Sequence, residues 1–169
     1  MTIPRSGHYP IMNVQIKVSL IISKNNAILL IKEWSNKRVG YYWNIIKGSY
    51  EEESGETIIE CAERETEEEA GLKVKVSGFV SCFIFPREVG FGIQYNFLGE
   101  PVSGSNFSIP PKKEQEDRNE DIQEIKWFSK EDLLKIKPKD FISKRTRFVI
   151  DAWIEGRTYP LDTFQQLSE

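Results

Sequence analysis

Glu65, Glu68 and Glu69 stand at i, i+3 and i+4, a spacing that puts three carboxylates on one face of an α-helix. Like charges so placed repel by roughly 0.2–0.5 kcal/mol per pair. A helix built against its own charge calls for a counter-ion. Carboxylate oxygens are the donors that Mg2+, Mn2+ and Ca2+ prefer, so the spacing points to a divalent-cation site. The same segment holds seven glutamates, at positions 56, 60, 63, 65, 67, 68 and 69. A solvated acidic face is the plain alternative for such a charge run.

The helix that must carry these side chains has clear ends. Thr57 and Glu60 have the spacing of a capping box, with Thr57 as N-cap. Gly71 stands at the C′ position, where a left-handed backbone suits glycine. Ile59, Ala62 and Thr66, extended by Ile58 and Cys61, form the inward stripe. Glu60 and Arg64 are expected to pair at i, i+4.

Alternating apolar residues predict the surrounding strands. Val14, Ile16, Val18, Leu20 and Ile22 read as one strand, the Asn25-Asn26 turn follows, and Ala27–Ile31 returns as its hairpin partner. Residues 34–50 read as a loop rich in Trp34, Tyr41, Tyr42 and Trp43, with Lys37, Arg38 and Lys47. Leu72, Val74 and Val76 continue through Phe79–Phe85 as a long strand with a bulge at Gly78, and Phe91–Phe97 alternates again. Gly99–Asp121 is a long polar segment, of the kind that is functional or disordered in compact domains. A strand at Ile125–Trp127, a short helix over 130–135 begun by Ser129, and a last helix over about 140–155 complete the chain. That last helix has the stripe Phe141/Ile142, Arg145, Phe148/Val149 and Ala152/Trp153. Strands and helices mix without strict alternation, so the fold class is α/β with a mixed sheet. A single domain is expected over 1–169, with a flexible segment at 1–12 that includes His8 and a tail at 157–169.

The chain has 169 residues and a net charge of −3, enough length for a real core and no general attraction to nucleic acid or anionic membrane. No apolar run is long enough to span a bilayer, and the N-terminus lacks the apolar region of a signal peptide. Cys61 and Cys82 show no disulfide or metal spacing and read as core thiols of a cytoplasmic protein. No membrane partner is expected, and a homodimer is left open.

Glu56, Arg64-Glu65, Glu68-Glu69 and Gly71-Leu72 together resemble the signature box of the Nudix hydrolases. Two positions depart from it. Thr66 replaces an apolar residue, and the opening glycine falls two residues early, at Gly48, where Tyr50 would be expected to be glycine. The resemblance implies an α/β/α sandwich and a Mg2+ (or Mn2+) dependent hydrolase. Its substrate would be a nucleoside diphosphate linked to another group, a nucleotide sugar, dinucleotide or NTP. It implies Glu68 and Glu69 as the main metal ligands, Glu65 as a ligand or an aid to water deprotonation, and the backbone near Gly48 as a further contact. Arg64 would tie the helix to the preceding loop through Glu56. Because the base of this family varies in position, Glu114, Glu116, Glu120, Asp121 and Glu124 are all candidates, and Glu120 is preferred where the long segment re-enters the sheet. Trp34 and Tyr41 are the candidate base-stacking rings, with Arg38 and Lys47 on phosphate, while Tyr42 and Trp43 serve equally well as sheet packing. Two other readings remain: a non-catalytic nucleotide-binding module, and a prenyl-diphosphate isomerase, which would need a thiol in the site.

Overall fold

The computed structural model describes residues 13–51 and 55–167. The expected flexible segment 1–12, His8 within it, and residues 52–54 lie outside the described residues.

Among the described residues, eight strands and four α-helices follow one another as β1 (Val14–Lys24), β2 (Ala27–Ser35), β3 (Gly40–Asn44), β4 (Ile46–Ser49), α1 (Ile58–Ala70), β5 (Val74–Pro86), β6 (Phe91–Pro101), α2 (Lys112–Asp117), β7 (Ile122–Ser129), α3 (Lys130–Lys135), α4 (Lys144–Ile154) and β8 (Tyr159–Pro160). The strand order is β3-β2-β1-β6-β5-β8, with β4 also paired to β1 and β7 to β2. The β1–β6 pair is parallel, from Val14↔Phe91 to Ile22↔Gly99, while β1–β4 and β5–β6 are antiparallel. The sheet is therefore mixed and carries helices on both faces, as an α/β/α arrangement requires.

The two-residue period of a strand explains why β1 and β2 read as nearly continuous apolar runs. Val18, Leu20, Ile22, Leu29 and Ile31 enter one core with Ile58, Cys61, Ala62 and Ala70 of α1. Ile21, Ile28 and Leu30 point the other way, into a second core with Leu133, Phe141, Val149 and Trp153. Burying a leucine or isoleucine side chain stabilises by about 1.5–3 kcal/mol, so both faces hold the central strands in register.

Several expectations are corrected. Residues 34–50 are mostly strand. The aromatic residues of β3 pair across β2, Trp34↔Tyr41 and Lys32↔Trp43, because aromatic side chains suit a pleated, half-buried surface. The polar segment 99–121 contains the end of β6 and the helix α2. The last helix begins at Lys144, after a 3-10 turn at Pro138–Asp140, with Ser143 as its N-cap. Its buried face is Thr146, Val149, Ile150, Ala152 and Trp153, which leaves Phe148 exposed. Cys82 lies exposed on β5, while Cys61 is buried; alternation along β5 turns Cys82 outward. The bulge near Gly78 is present, with register shifts between Val76 and Gly78. The tail packs: β8 pairs with Gly78 and Phe79, and Gln166 Oε1 accepts from Ile58 N at 2.8 Å, closing the start of α1.

Candidate active site

Helix α1 has the ends its sequence implies. Thr57 Oγ1 accepts from Glu60 N at 3.1 Å, and Glu60 Oε2 accepts from Thr57 N at 2.7 Å. Gly71 ends the helix at φ 61°, with its N–H donating to Glu67 O at 2.8 Å. Because the apolar residues of α1 must face the sheet, two of its glutamates are carried inward with them. Glu65 is 9% and Glu69 4% exposed.

The buried pair meets β4. A Cβ on Gly48 would stand 1.7 Å from Glu65 Cδ, so only a glycine lets this carboxylate lie against the strand. Lys47 N lies 3.4 Å from Glu69 Oε2. Glu68 is half-buried beside Arg64. Arg64 grips Glu56 with two donors, Nε to Oε2 at 3.0 Å and Nη2 to Oε1 at 2.9 Å. Its Nη1 reaches Glu68 Oε2 at 3.0 Å and Glu65 Oε1 at 3.1 Å. The expected Arg64–Glu60 pair does not form; Glu60 caps the helix instead, and the fork geometry of a guanidinium favours the two-pronged hold on Glu56. The bonds to Glu56 hold the Arg64 pKa above its ordinary value.

Across the cleft stands Glu120. Of the acids named for the base, only Glu120 lines the same cavity as Glu65, Glu68 and Glu69. Asp121 instead accepts from Tyr41 Oη at 2.7 Å, and Glu116 faces Lys112. Glu120 is placed by a residue that sequence reasoning missed. Arg118 Nε donates to Glu120 Oε2 at 3.0 Å and its Nη2 donates to Glu68 O at 2.9 Å. One guanidinium thus caps a late carbonyl of α1 and holds the candidate base. A second omission is Glu33 of β2, which accepts from Asn44 Nδ2 at 2.6 Å and Lys47 Nζ at 2.7 Å. Its one sequence signal is its place, with Lys32, where the apolar run of β2 ends; Arg118 had none, standing in a run of charges.

The cavity has a volume of about 630 Å³, with Lys17, Lys47, Arg64 and Arg118 on its walls beside the carboxylates. Crowding shows in the protonation equilibria. Burial, then the charge of Glu33, raises the Glu69 carboxyl well above its usual range. Burial is also the first cause of the raised Glu65 and Glu120 carboxyls, with Glu68 charge adding to both. Burial and the neighbouring Lys47 lower the Lys17 ammonium.

This donor set fits a hard divalent cation: oxygen ligands only, buried or half-buried, and crowded close enough to repel one another. Among the described residues, no three carboxylate, thiol or imidazole groups already surround a common point. Arg64 engages Glu65 and Glu68, and Lys47 engages Glu33, so side-chain rotation must bring the oxygens together. Of the residues expected to bind substrate, Lys47 lines the cavity, whereas Trp34, Tyr41 and Arg38 do not. Trp34 and Tyr41 form an edge-to-face pair at 5.2 Å. The Arg38 guanidinium stacks 3.8 Å over Tyr42 and donates to the carbonyls of Lys139 and Phe141. Trp43 packs edge-on to Phe128 at 4.7 Å, against the second core. The Cys61 thiol is pushed up to about 12, chiefly by burial, and Cys82 stands away from the cavity, so neither offers the reactive thiol an isomerase would need.

Comparison with known proteins bears on this arrangement. The family model described as the NUDIX domain matches residues 14–149. An uncharacterized Nudix hydrolase of Listeria monocytogenes, lmo0368, is 25% identical over 122 residues, 71% of this chain and 66% of the relative. The chain thus aligns with just under two thirds of that relative's length. A NUDIX hydrolase from Nitrosomonas europaea superposes with a TM-score of 0.72 at 22% identity, over 92% of this chain and 98% of that one. A UDP-X diphosphatase superposes with a TM-score of 0.59 at 20% identity, over 91% of this chain and 68% of that one. These two structural likenesses are of fold. With the family model matching most of its length, the chain belongs to the NUDIX family, whose hydrolases act on pyrophosphate bonds.

Proposed function

We propose that this chain is a divalent-cation-dependent hydrolase that breaks the phosphoanhydride bond of a nucleoside diphosphate linked to a second moiety. The observation that carries this reading is the convergence of Glu65, Glu68, Glu69 and Glu120 on one cavity that Lys17, Lys47, Arg64 and Arg118 also line. Glu65, Glu68 and Glu69 would hold Mg2+ or Mn2+, with the backbone near Gly48 alongside. When bound, the ion neutralises phosphoryl charge and lowers the pKa of water.

The chain's own residues do the rest. Lys17 and Lys47, beside the buried glutamates, would meet phosphoryl oxygens. Arg64 fixes Glu56 and so holds the loop before α1. Glu120, whose carboxyl is raised towards neutrality, takes a proton from the attacking water, and Arg118 keeps its carboxylate turned to the cavity. A base works best with a pKa near the working pH, and Glu120 is more basic than an exposed carboxylate. A single catalytic domain in the cytoplasm suits this chemistry, and the two free cysteines fit a reducing compartment. Among the described residues no helix is long and apolar enough to cross a membrane.

One observation favours the second reading, a non-catalytic nucleotide-binding module: Arg64 reaches both Glu65 and Glu68 and so competes with a cation for them. The test is incubation with ADP-ribose, dinucleoside polyphosphates and nucleoside triphosphates in Mg2+, with products separated by chromatography. Release of a nucleoside monophosphate and a phosphorylated second product is expected. Binding without turnover of any of them would leave only the module.

A further inference from the structure

Beside the carboxylate cavity lies a second one, of about 390 Å³. The two meet at Lys47, which lines both. Their charges are opposite in character. The chain has 26 acidic and 23 basic residues, yet four basic side chains, Lys37, Arg38, Lys47 and Arg145, line the second cavity, with no aspartate or glutamate among the described residues that line it.

The cations are not equivalent. Arg38 is occupied by main-chain carbonyls and by Tyr42, and Lys47 is paired with Glu33. Arg145, in the first turn of α4, lies with its guanidinium 4.0 Å over the Phe85 ring. That ring fixes the guanidinium plane without neutralising its charge. Arg145 is exposed to solvent, with partial desolvation lowering its pKa from the ordinary value, so its charge is open to an incoming anion. Lys37 stands exposed at the rim.

A nucleobase finds little here. Among the described residues, no aromatic ring lines the cavity. The amides that might read a base edge are already committed: Asn44 donates to Glu33 and accepts from Thr146 at 2.8 Å, and Gln94 donates to Asn96 at 2.7 Å.

Resting on the hydrolase reading, we propose that the second cavity receives the moiety beyond the diphosphate and selects one that bears its own acid group, phosphate or carboxylate, held by Arg145 and Lys37. The diphosphate then lies among the carboxylates and Lys47 marks the junction.

The test begins without hydrolysis. Inorganic phosphate and glucuronate are titrated calorimetrically into the protein in EDTA, where the carboxylate cavity repels anions. Binding should weaken roughly ten- to a hundredfold in Arg145→Gln, the loss of one charged hydrogen-bond partner, and should recover in part in Arg145→Lys. Lys37→Gln provides a second, exposed substitution that the fold tolerates. The stronger of the two anions identifies the acid. In Mg2+, kcat/KM is then compared for UDP-glucuronate against UDP-glucose, and for ADP-ribose 1″-phosphate against ADP-ribose, pairs that differ in an acid group on the moiety beyond the diphosphate. The acid-bearing member of the pair matching that anion should lead by at least about tenfold, and the lead should collapse in Arg145→Gln. Anion binding in EDTA that is equal in wild type and Arg145→Gln overturns the proposal. So does hydrolysis with no preference in either pair, which leaves the hydrolase reading intact. Arg145-dependent anion binding with no turnover of any nucleotide supports this cavity's role and removes the hydrolase reading instead.

Discussion

Replacing Gly48 by alanine separates the metal-holding role of Glu65 from its role in packing. The new Cβ would fall 1.7 Å from Glu65 Cδ and 2.0 and 2.2 Å from the carboxylate oxygens. The carboxylate must therefore retreat by at least about 1.3 Å, the gap between that 1.7 Å and the 3.0 Å below which Cβ contacts essentially do not occur. Gly48 does not have a left-handed backbone, so alanine meets no φ penalty and gains about 0.5–1 kcal/mol over glycine in a strand. What yields is the far end of one side chain, whose charge is already disfavoured by burial. Net stability should move by no more than about 1 kcal/mol. Activity should not be so lenient, because a misplacement of about 1 Å at a reacting centre costs on the order of a hundredfold. Urea denaturation gives the first quantity and kcat at saturating Mg2+ the second. A folded variant with full kcat would refute the placement of Glu65, and a stability loss beyond about 3 kcal/mol would show that something other than this carboxylate must move.

Arg64→Ala should lower urea stability by about 1 kcal/mol, since its pairs are partly exposed and screened, and should lower kcat with it. A fall in kcat at unchanged stability would instead put Arg64 on substrate. Arg118→Ala removes a charge that holds the Glu120 carboxyl down, so the acid limb of the kcat/KM profile should move to higher pH, with partial rescue in Arg118→Lys. An unmoved limb would make Arg118 merely structural. Glu69 has a folded-state pKa well above its unfolded one, so its contribution to stability is full below the ordinary carboxylate range and is lost as pH rises through it. In EDTA, wild type should therefore lose stability relative to Glu69→Gln as pH rises above the ordinary carboxylate pKa of about 4.3, as read from thermal melts; parallel curves would contradict this.

What the sequence disclosed depended on how local each feature is. The caps of α1 and the faces of β1 follow from spacings within one element, and both could be read. The partners of Arg64 depended on a choice among Glu56, Glu60 and Glu68 that only the side-chain path resolves. Trp34 and Tyr41 resemble binding rings in the sequence because a pleated strand and a binding loop draw on the same aromatic residues. Arg118 reaches the cavity over the end of α1, and Glu33 bears on it only through Lys47, by a pairing across the sheet; no local pattern announces either. Glu120 was reachable because it stands where a polar segment must rejoin the sheet, even though α2 within that segment escaped notice.

The central claim is that the carboxylates of α1 hold a divalent cation, and Mn2+ binding followed by electron paramagnetic resonance tests it most directly. Free Mn2+ is titrated against wild type, Glu68→Gln and Glu69→Gln after removal of endogenous metal with EDTA and buffer exchange. The account predicts saturable binding in wild type, competed by Mg2+, and weakened at least about tenfold in both variants, whose melts remain cooperative. Binding of equal affinity in all three proteins would contradict it.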